Sequence, residues 1–221
     1  MKLSILLPVY NEQANLERLL QRLLAVNVDK EIVAVDDCSA DGSREILGRF
    51  ADQGVAIVCH ALNQGKGAAV RTALEHATGD YVIIQDADNE LDPNDIPRLL
   101  APVLGGQAKI VYGARNLRVQ SWGNFLGNKL LTLATNLLFG TRVSDMETCY
   151  KLLPTELMRS LKLESHGFDI EPEITAKLGR AGYAIYEVPI SYFPRIEHKK
   201  MRPIRDGFRA LRALLKYRFE R

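Results

Sequence analysis

Three carboxylates follow one apolar run at a spacing of two residues: Asp86, Asp88 and Glu90. Residues 81–85 before them are mostly apolar or aromatic, which predicts a strand buried on both faces. Side chains two residues apart share one face of an extended chain, so the three acids converge if the extension continues. Oxygen-only ligands favour hard divalent ions, and the pattern therefore predicts a Mg²⁺ or Mn²⁺ site. The competing interpretation is a loop of helix caps, which explains residues 92–95 better than the three acids.

The sequence around these acids alternates between strand-like and helical patterns. Apolar runs predict strands at residues 3–9, 31–37, 55–60, 81–85 and 109–113, with helical patterns between most of them. Such alternation is typical of an α/β domain with a mostly parallel central sheet flanked by helices. Open parallel sheets bind ligands beyond the carboxyl ends of their strands, so the residues that follow each strand are the first candidates for a site.

Polar residues crowd these strand ends. The first strand is followed by Tyr10, Asn11 and Glu12, and the second by Asp37. Carboxylates accept hydrogen bonds from ribose hydroxyls or a base N–H, and a tyrosine ring stacks readily on a nucleobase. The pattern is compatible with a nucleotide site, although a turn explains single pieces of it equally well.

The spacing of the residues excludes several other nucleotide-binding and metal-binding motifs. The segment NQGKG at 63–67 lacks the order of a phosphate-binding P-loop and the third glycine of a dinucleotide fingerprint. A calcium loop that begins at Asp37 needs a glutamate at its twelfth position, where Gly48 stands. The three cysteines lie far apart, with no CxxC pair and no histidine at ligand spacing. This argues against a zinc site or a disulfide framework and predicts a reduced, cytoplasmic protein.

The chain beyond residue 113 is less regular. Residues 124–140 predict an apolar helix that is too short and too polar to cross a membrane. A core helix is the first interpretation, and a membrane-interface helix and a self-association face are the alternatives. A helix at 171–182 and a strand at 183–190 complete the body of the domain.

The chain is polarised in charge towards its end. Residues 195–221 carry ten Lys/Arg and three Asp/Glu, a net charge of +7, which leaves −5 for the rest. From residue 203 the pattern predicts a helix with two stripes. The apolar stripe contains Ile204, Phe208, Leu211 and Leu215, and the cationic stripe contains Arg202, Arg205, Arg209, Arg212 and Lys216. A helix of this type lies on anionic membrane surfaces, and a packed helix with a solvated basic face is the equally weighted alternative.

Five motifs in a fixed order give the chain a specific resemblance to a known family. They are PVYNE, VDDCSADGS, NQGKG, DADNELDP and DMETCYK, which begin at residues 8, 35, 63, 86 and 145. Over nearly its whole length the chain resembles family 2 glycosyltransferases of the dolichol-phosphate mannose synthase-like branch. The resemblance implies a GT-A fold, a nucleotide-sugar-binding α/β sandwich, with a divalent Mg²⁺ or Mn²⁺ ion on the diphosphate. Residues 1–202 would form this domain, and residues 203–221 would be a C-terminal helix of the same single domain.

The resemblance also implies a set of site residues. Those expected at the nucleotide sugar are Pro8, Tyr10, Glu12, Val35, Asp37, Asp86, Ala87, Asp88 and Arg115, with Arg195, Lys199 and Lys200 in a late basic loop over the diphosphate. The expected metal ligands are Asp86, Asp88 and Glu90. The expected catalytic residues are Asp88, Arg115 and Asp145.

The implied reaction is inverting transfer of mannose or glucose from a GDP- or UDP-sugar to a polyprenyl or dolichyl phosphate. A phosphate monoester has a second pKa of about 6, so its oxygen is already ionised at neutral pH. Such a reaction needs positioning and charge stabilisation rather than a strong base. If the acceptor is instead a saccharide hydroxyl, Asp145 and Glu147 are the candidate bases. A non-catalytic nucleotide-sugar-binding protein is the remaining alternative.

The expected partners follow from this reaction. They are a nucleotide-sugar donor and a polyprenyl phosphate acceptor, with peripheral contact to the cytoplasmic face of a membrane and no nucleic acid. The oligomeric state stays open.

Overall fold

A seven-stranded, mostly parallel sheet forms the centre of the molecule. The structure is a computed structural model, and it describes residues 1–194 and 203–219. The strands are β1 Leu3–Val9, β2 Lys30–Asp36, β3 Val55–Cys59, β4 Tyr81–Ile84, β5 Val111–Arg115, β6 Lys151–Pro154 and β7 Tyr186–Ile190. Their order across the sheet is β3-β2-β1-β4-β6-β5-β7, and β6 runs antiparallel to both of its neighbours.

Helices pack against the sheet. Those of the described residues are α1 Gln13–Ala25, α2 Ser43–Phe50, α3 Lys66–His76, α4 Ile96–Leu104, α5 Trp122–Phe139, α6 Thr155–Ser160, α7 Ile170–Arg180 and α8 Pro203–Phe219. Short 3₁₀ turns lie at Ala51–Gln53, Pro93–Asp95 and Leu117–Val119. The predicted alternation of strands and helices is therefore confirmed through β5.

The parallel part of the sheet is buried and brings three strand ends together. Val9 of β1 pairs with Asp36 of β2, and Leu6 of β1 pairs with Ile84 of β4. The segments that follow these three strands therefore emerge side by side at one edge. The apolar stripe of α1 packs on this sheet, and its residues Leu16, Leu19, Leu20 and Leu23 are fully buried.

The sequence pattern misses β6, because this strand is short and begins at a charged residue. Lys151 is fully buried. Its ammonium donates a hydrogen bond to the carbonyl oxygen of Met146 at 2.7 Å and stands 3.9 Å over the ring of Tyr112. A buried lysine needs such partners, and only the folded chain supplies them.

α5 presents its polar side to the protein and its apolar side outward. Its buried residues are Asn128, Thr132, Thr135 and Phe139. Its exposed face carries Trp122, Leu126, Leu130, Leu133 and Leu137, at spacings of three or four that form one stripe. The first interpretation of this segment, an apolar core helix, is therefore wrong, because most of its large apolar side chains face outward.

α8 packs on α5 and α7 through a face other than its predicted apolar stripe. Ala210, Ala213, Leu214 and Tyr217 are buried. The last three form a small cluster with Phe139 and Ala176. Phe208, Leu211 and Leu215 of the predicted stripe are exposed. Arg209, Arg212 and Lys216 of the cationic stripe are exposed as well. Arg202 and the side chains of Ile204 and Arg205 lie outside the part of the chain that the structure describes.

In the described residues, none of the helices is both long enough and apolar enough to pass through a bilayer. The exposed apolar stripes of α5 and α8 lie on two adjacent helices.

Candidate active site

A cavity of about 730 Å³ opens at the carboxyl edge of the sheet. We call one side the strand wall, which consists of the segments after β1, β2 and β4 and the NQGKG loop. We call the other side the helix wall, which consists of α5, the start of α7, Arg115 and Glu147. The residues predicted from sequence that line the cavity are Pro8, Tyr10, Glu12, Asp37, Asp86, Ala87, Asp88, Glu90 and Arg115.

The remaining predicted residues are not at the cavity. The side chain of Val35 is fully buried in the core of the sheet, and Asp145 lies behind Arg115. Neither lines the cavity. Arg195, Lys199 and Lys200 lie outside the described residues.

The loop after β1 is held by serines of the next loop. Asn11 adopts a left-handed backbone with φ of 49°, and its N–H donates to Ser39 Oγ at 2.9 Å. The N–H of Glu12 donates to Ser43 Oγ at 2.8 Å. These bonds fix the sharp bend that leaves Tyr10 partly exposed at the cavity. The motifs PVYNE and VDDCSADGS therefore act as one unit.

Asp37 organises the start of the NQGKG loop. Its Oδ1 accepts a hydrogen bond from Gln64 N–H at 2.8 Å and lies 2.7 Å from His60 Nδ1. Its Oδ2 accepts one from Gly65 N–H at 2.7 Å. This buried carboxylate thus ties β2 to the loop before α3.

Lys66 stands between two acids of the cavity. Its ammonium lies 2.7 Å from Asp86 Oδ1 and 2.5 Å from Glu171 Oε1. Although burial lowers the pKa of Lys66, the negative charges of Asp86 and Glu171 outweigh it and raise that pKa well above the usual value. Lys66 therefore stays charged and links the strand wall to the helix wall.

The two glycines beside Lys66 make this position possible. Gly65 has a φ of 93°, a conformation that L side chains rarely adopt. A β-carbon there would overlap the carbonyl oxygen of His166, and one at Gly67 would overlap that of Ser165. Any larger residue would push the loop away from the segment that leads into α7.

The segment after β4 does not stay extended. Ala87 and Asp88 form a turn, and Asn89 is left-handed with φ of 60°. The expected common face of Asp86, Asp88 and Glu90 is therefore lost, although all three line the cavity. No three His, Cys, Asp or Glu side chains come together as a metal cluster anywhere in residues 1–194 or 203–219 as described.

Arg115 is fixed by a two-point ion pair with Asp145. Its Nε lies 2.6 Å from Oδ2 and its Nη2 lies 2.9 Å from Oδ1. Asn128 of α5 also donates a hydrogen bond to Asp145, at 3.2 Å. Burial alone would raise the pKa of Asp145, but the charge and hydrogen bonds of Arg115 outweigh it and lower that pKa. Asp145 therefore holds the guanidinium of Arg115 in a fixed orientation.

Glu147 is the acid of DMETCYK that reaches the cavity. Its Oε1 is buried and accepts no hydrogen bond. Burial and the nearby charge of Glu171 raise the pKa of Glu147 to about 7. Glu147 therefore changes its charge near neutral pH.

Sequence reasoning missed part of this cavity. Lys66 and Glu171 carried no signal as an ion pair, since they are far apart in the chain. In the sequence, Asn128 is only one of the polar residues that make the helix predicted at 124–140 too polar for a membrane span. Glu147 was noted as a base for one class of acceptor, and its motif was the signal that pointed to it.

Comparison with known proteins identifies the family. Glycosyl transferase family 2 matches residues 4–161 of the chain. The chain is 30% identical to the low-salt glycan biosynthesis hexosyltransferase Agl6 of Haloferax volcanii, over 96% of this chain and 53% of that protein. It is 36% identical to an undecaprenyl-phosphate 4-deoxy-4-formamido-L-arabinose transferase of Aeromonas hydrophila, over 64% of this chain and 45% of that protein. The chain therefore spans about half the length of these two relatives.

A solved structure shares the fold. Glucosyl-3-phosphoglycerate synthase from Mycobacterium tuberculosis, in complex with Mn²⁺, UDP-glucose and phosphoglyceric acid, matches with a TM-score of 0.79 and 22% identity. The match covers 98% of this chain and 79% of that one. It confirms the predicted GT-A fold. With the family match over most of its length, the chain belongs to glycosyl transferase family 2.

Proposed function

We propose that the chain transfers a hexose, mannose or glucose, with inversion from a GDP- or UDP-sugar to a polyprenyl phosphate. The observation that carries the proposal is the difference between the two faces of α5. One side of this helix lines the cavity through Asn124 and Asn128, and the other exposes a stripe of leucines. A polar cavity behind an apolar outer surface suits a sugar nucleotide and a lipid-linked acceptor. One relative is itself named for undecaprenyl phosphate.

The strand wall is the proposed donor site. Tyr10 stacks on the base, while Pro8 and Glu12 border the nucleoside and Asp37 holds the loop beneath it. The positive charge of Lys66, which pairs with Asp86, offsets the negative charge around the proposed diphosphate position. The related solved structure contains UDP-glucose and Mn²⁺, which supports a donor of this chemical class.

The acids after β4 fit a divalent metal by their chemistry. Asp88 and Glu90 offer the oxygen donors that Mg²⁺ and Mn²⁺ prefer, with Asp86 held by Lys66 beside them. Mg²⁺ is commonly held by one or two protein carboxylates together with substrate phosphates, so a cage of three carboxylates is not required. Such an ion, when bound, neutralises the charge of the leaving diphosphate.

Arg115 is the proposed acceptor-phosphate group. It lines the cavity, and its geometry is fixed by Asp145. In the proposed step an ionised phosphate oxygen of the acceptor forms a bond to the anomeric carbon. The bond from that carbon to the diphosphate oxygen breaks, and the nucleoside diphosphate leaves with the electron pair. Positioning and charge stabilisation provide the rate enhancement, and no general base is needed because the attacking oxygen already lacks its proton.

The acceptor is reached, on this proposal, by peripheral contact with the cytoplasmic face of a membrane. The exposed stripes of α5 and α8 supply apolar area, and Arg212 and Arg218 supply positive charge for anionic headgroups. Deleting α8 would be a poor test, because Leu214 and Tyr217 pack into the protein.

Surface substitutions test the membrane contact directly. Leu133→Ser with Leu137→Ser should weaken the affinity for anionic liposomes, measured by sedimentation, by more than tenfold. Transfer of each exposed leucine side chain into an apolar phase contributes on the order of 1.5 kcal/mol or more of binding free energy. Leu62→Ser with Leu104→Ser, at exposed positions of other segments, is the matched control. Equal binding by both double variants would refute the contact.

A radiolabelled transfer assay tests the reaction. Purified protein, Mg²⁺ or Mn²⁺, a panel of UDP- and GDP-hexoses and a short polyprenyl phosphate are incubated and extracted into organic solvent. Metal-dependent label in the organic phase with one donor would support the proposal and identify the sugar. Donor hydrolysis without lipid product would count against it.

Transfer to a saccharide hydroxyl is the second candidate, and Glu147 is the observation that favours it. A carboxyl with a pKa of about 7 at the cavity suits a general base. A hydroxyl acceptor would then give activity that rises with pH through neutrality. If Glu147 is the base, this rise should disappear in Glu147→Gln.

A further inference from the structure

Glu147 has no use in the proposed transfer as described so far, yet it stands at the cavity. Its Oε1 is buried without a hydrogen-bond partner. An unsatisfied buried polar atom is costly in a folded protein and needs an explanation. A ligand group that pairs with Glu147 would supply one.

The charged groups around Glu147 already have partners of their own. Lys151 of β6 donates to Met146 and Thr175, and Arg115 of β5 is paired with Asp145. Glu171 of α7 pairs with Lys66 of α3. Among the described residues, none of the cations forms an ion pair with Glu147.

This arrangement disfavours the charged form of Glu147. Burial has the largest effect, followed by the repulsion from Glu171, while the attractions of Lys151 and Arg115 are weaker. A protonated carboxyl is a hydrogen-bond donor, whereas an ionised one only accepts. At and below neutral pH, Glu147 therefore presents a donor to the cavity.

We propose that Glu147 acts in its protonated form and donates a hydrogen bond to a phosphate oxygen of the acceptor. This rests on the proposed function, and it extends the acceptor site from Arg115 to a second residue. Arg115 provides the charge, and Glu147 provides a neutral donor on another element of the helix wall. The proton stays on the carboxyl, so transfer itself consumes nothing from Glu147.

The assignment predicts the direction of a pH effect. As pH rises through the pKa of Glu147, a hydrogen-bond donor is replaced by an anion that repels the phosphate dianion. Acceptor binding should weaken with rising pH. A base that activates a hydroxyl would give the opposite slope.

The test measures binding of a short, water-soluble prenyl phosphate to the UDP-loaded protein by calorimetry at pH 6 and pH 8. Glu147→Gln keeps a neutral donor at both pH values. The ratio of wild-type Kd to variant Kd should rise about tenfold between pH 6 and pH 8. Taking the ratio removes the ionisation of the phosphate itself, whose second pKa is about 6. Glu156→Gln, an exposed glutamate on α6, should behave like wild type.

The outcomes are distinct. A ratio that stays constant with pH, or a variant that loses prenyl phosphate binding at pH 6 while still binding UDP, would overturn the role of Glu147. Binding with the expected pH dependence, but without any transferred label, would reject the proposed function and keep this assignment. Absence of prenyl phosphate binding in the wild type at every pH would reject both.

Discussion

The two walls of the cavity are built on different principles. In the strand wall, Asp37 and Asp86 each hold fixed partners: the backbone of the NQGKG loop and the ammonium of Lys66. In the helix wall, Glu147 keeps an oxygen without a partner, and α5 turns most of its leucines away from the protein. The first wall is organised before any ligand arrives. The second keeps a buried carboxyl oxygen without a hydrogen bond and an apolar stripe that no other described residue covers.

This difference matches two kinds of ligand. A preorganised wall suits a donor of constant shape, since little ordering remains to be done on binding. A wall with unsatisfied groups suits an acceptor that reaches the site from another phase. The first three variants below each test one wall, and the fourth tests the exposed surface of α8.

Asp88→Ala should give the largest effect, because it removes a proposed metal ligand from the strand wall. A loss on the order of a thousandfold in metal-dependent turnover is expected, equivalent to about 4 kcal/mol of transition-state stabilisation. Steady-state rates across a Mg²⁺ and Mn²⁺ titration measure it. Asp52→Ala, at an exposed position after α2, is the control. Turnover that stays within a few fold would remove the metal assignment from Asp88.

Asp145→Asn tests the ion pair that supports Arg115 in the helix wall. It leaves Arg115 buried without its charged partner, which typically costs about 3–5 kcal/mol of stability. Urea unfolding monitored by fluorescence measures this cost, and Asp52→Asn should change stability by less than about 0.5 kcal/mol. Unchanged stability together with a lost kcat would instead make Asp145 a catalytic residue.

Glu147→Gln should stabilise the protein at high pH. The folded chain holds this proton up to about pH 7, whereas the ordinary glutamate pKa is 4.5. Between these values the folded state binds more protons than the unfolded state, so the free energy of unfolding falls as pH rises. The variant avoids that loss, which is on the order of 3 kcal/mol at pH 8. Thermal unfolding should show a Tm gain at pH 8 and almost none at pH 4.5, and equal gains at both would contradict the raised pKa.

Arg212→Gln with Arg218→Gln should give the smallest effect. Each cation near an anionic surface contributes about 1 kcal/mol, so liposome binding should weaken roughly 30-fold at low salt. Arg18→Gln with Arg49→Gln, on α1 and α2, provides a control of equal charge. If both pairs weaken binding alike, net charge rather than the α8 surface decides the contact.

The strand wall was accessible from sequence because its signals are local. Each of its acids follows an apolar run by one or a few residues, and parallel strands bring such ends to one edge. The turn at residues 87–90 was not accessible, since Asn89 adopts a left-handed backbone that alternation of acids does not reveal. The predicted residue Val35 does not line the cavity, because its side chain is fully buried in the core.

The amino-acid sequence by itself determined the alternation of strands and helices, the glycines that admit the NQGKG loop and the acids at the strand ends. Only the tertiary structure decided which way α5 faces. The sequence predicts that the helix has an apolar stripe, but it does not determine whether that stripe faces the core or the outside. The tertiary structure also decided the pairing of Lys66 with Glu171 and the isolation of Glu147. These depend on side chains from distant segments meeting in a low-dielectric cavity, where the distances between charges fix both partners and pKa.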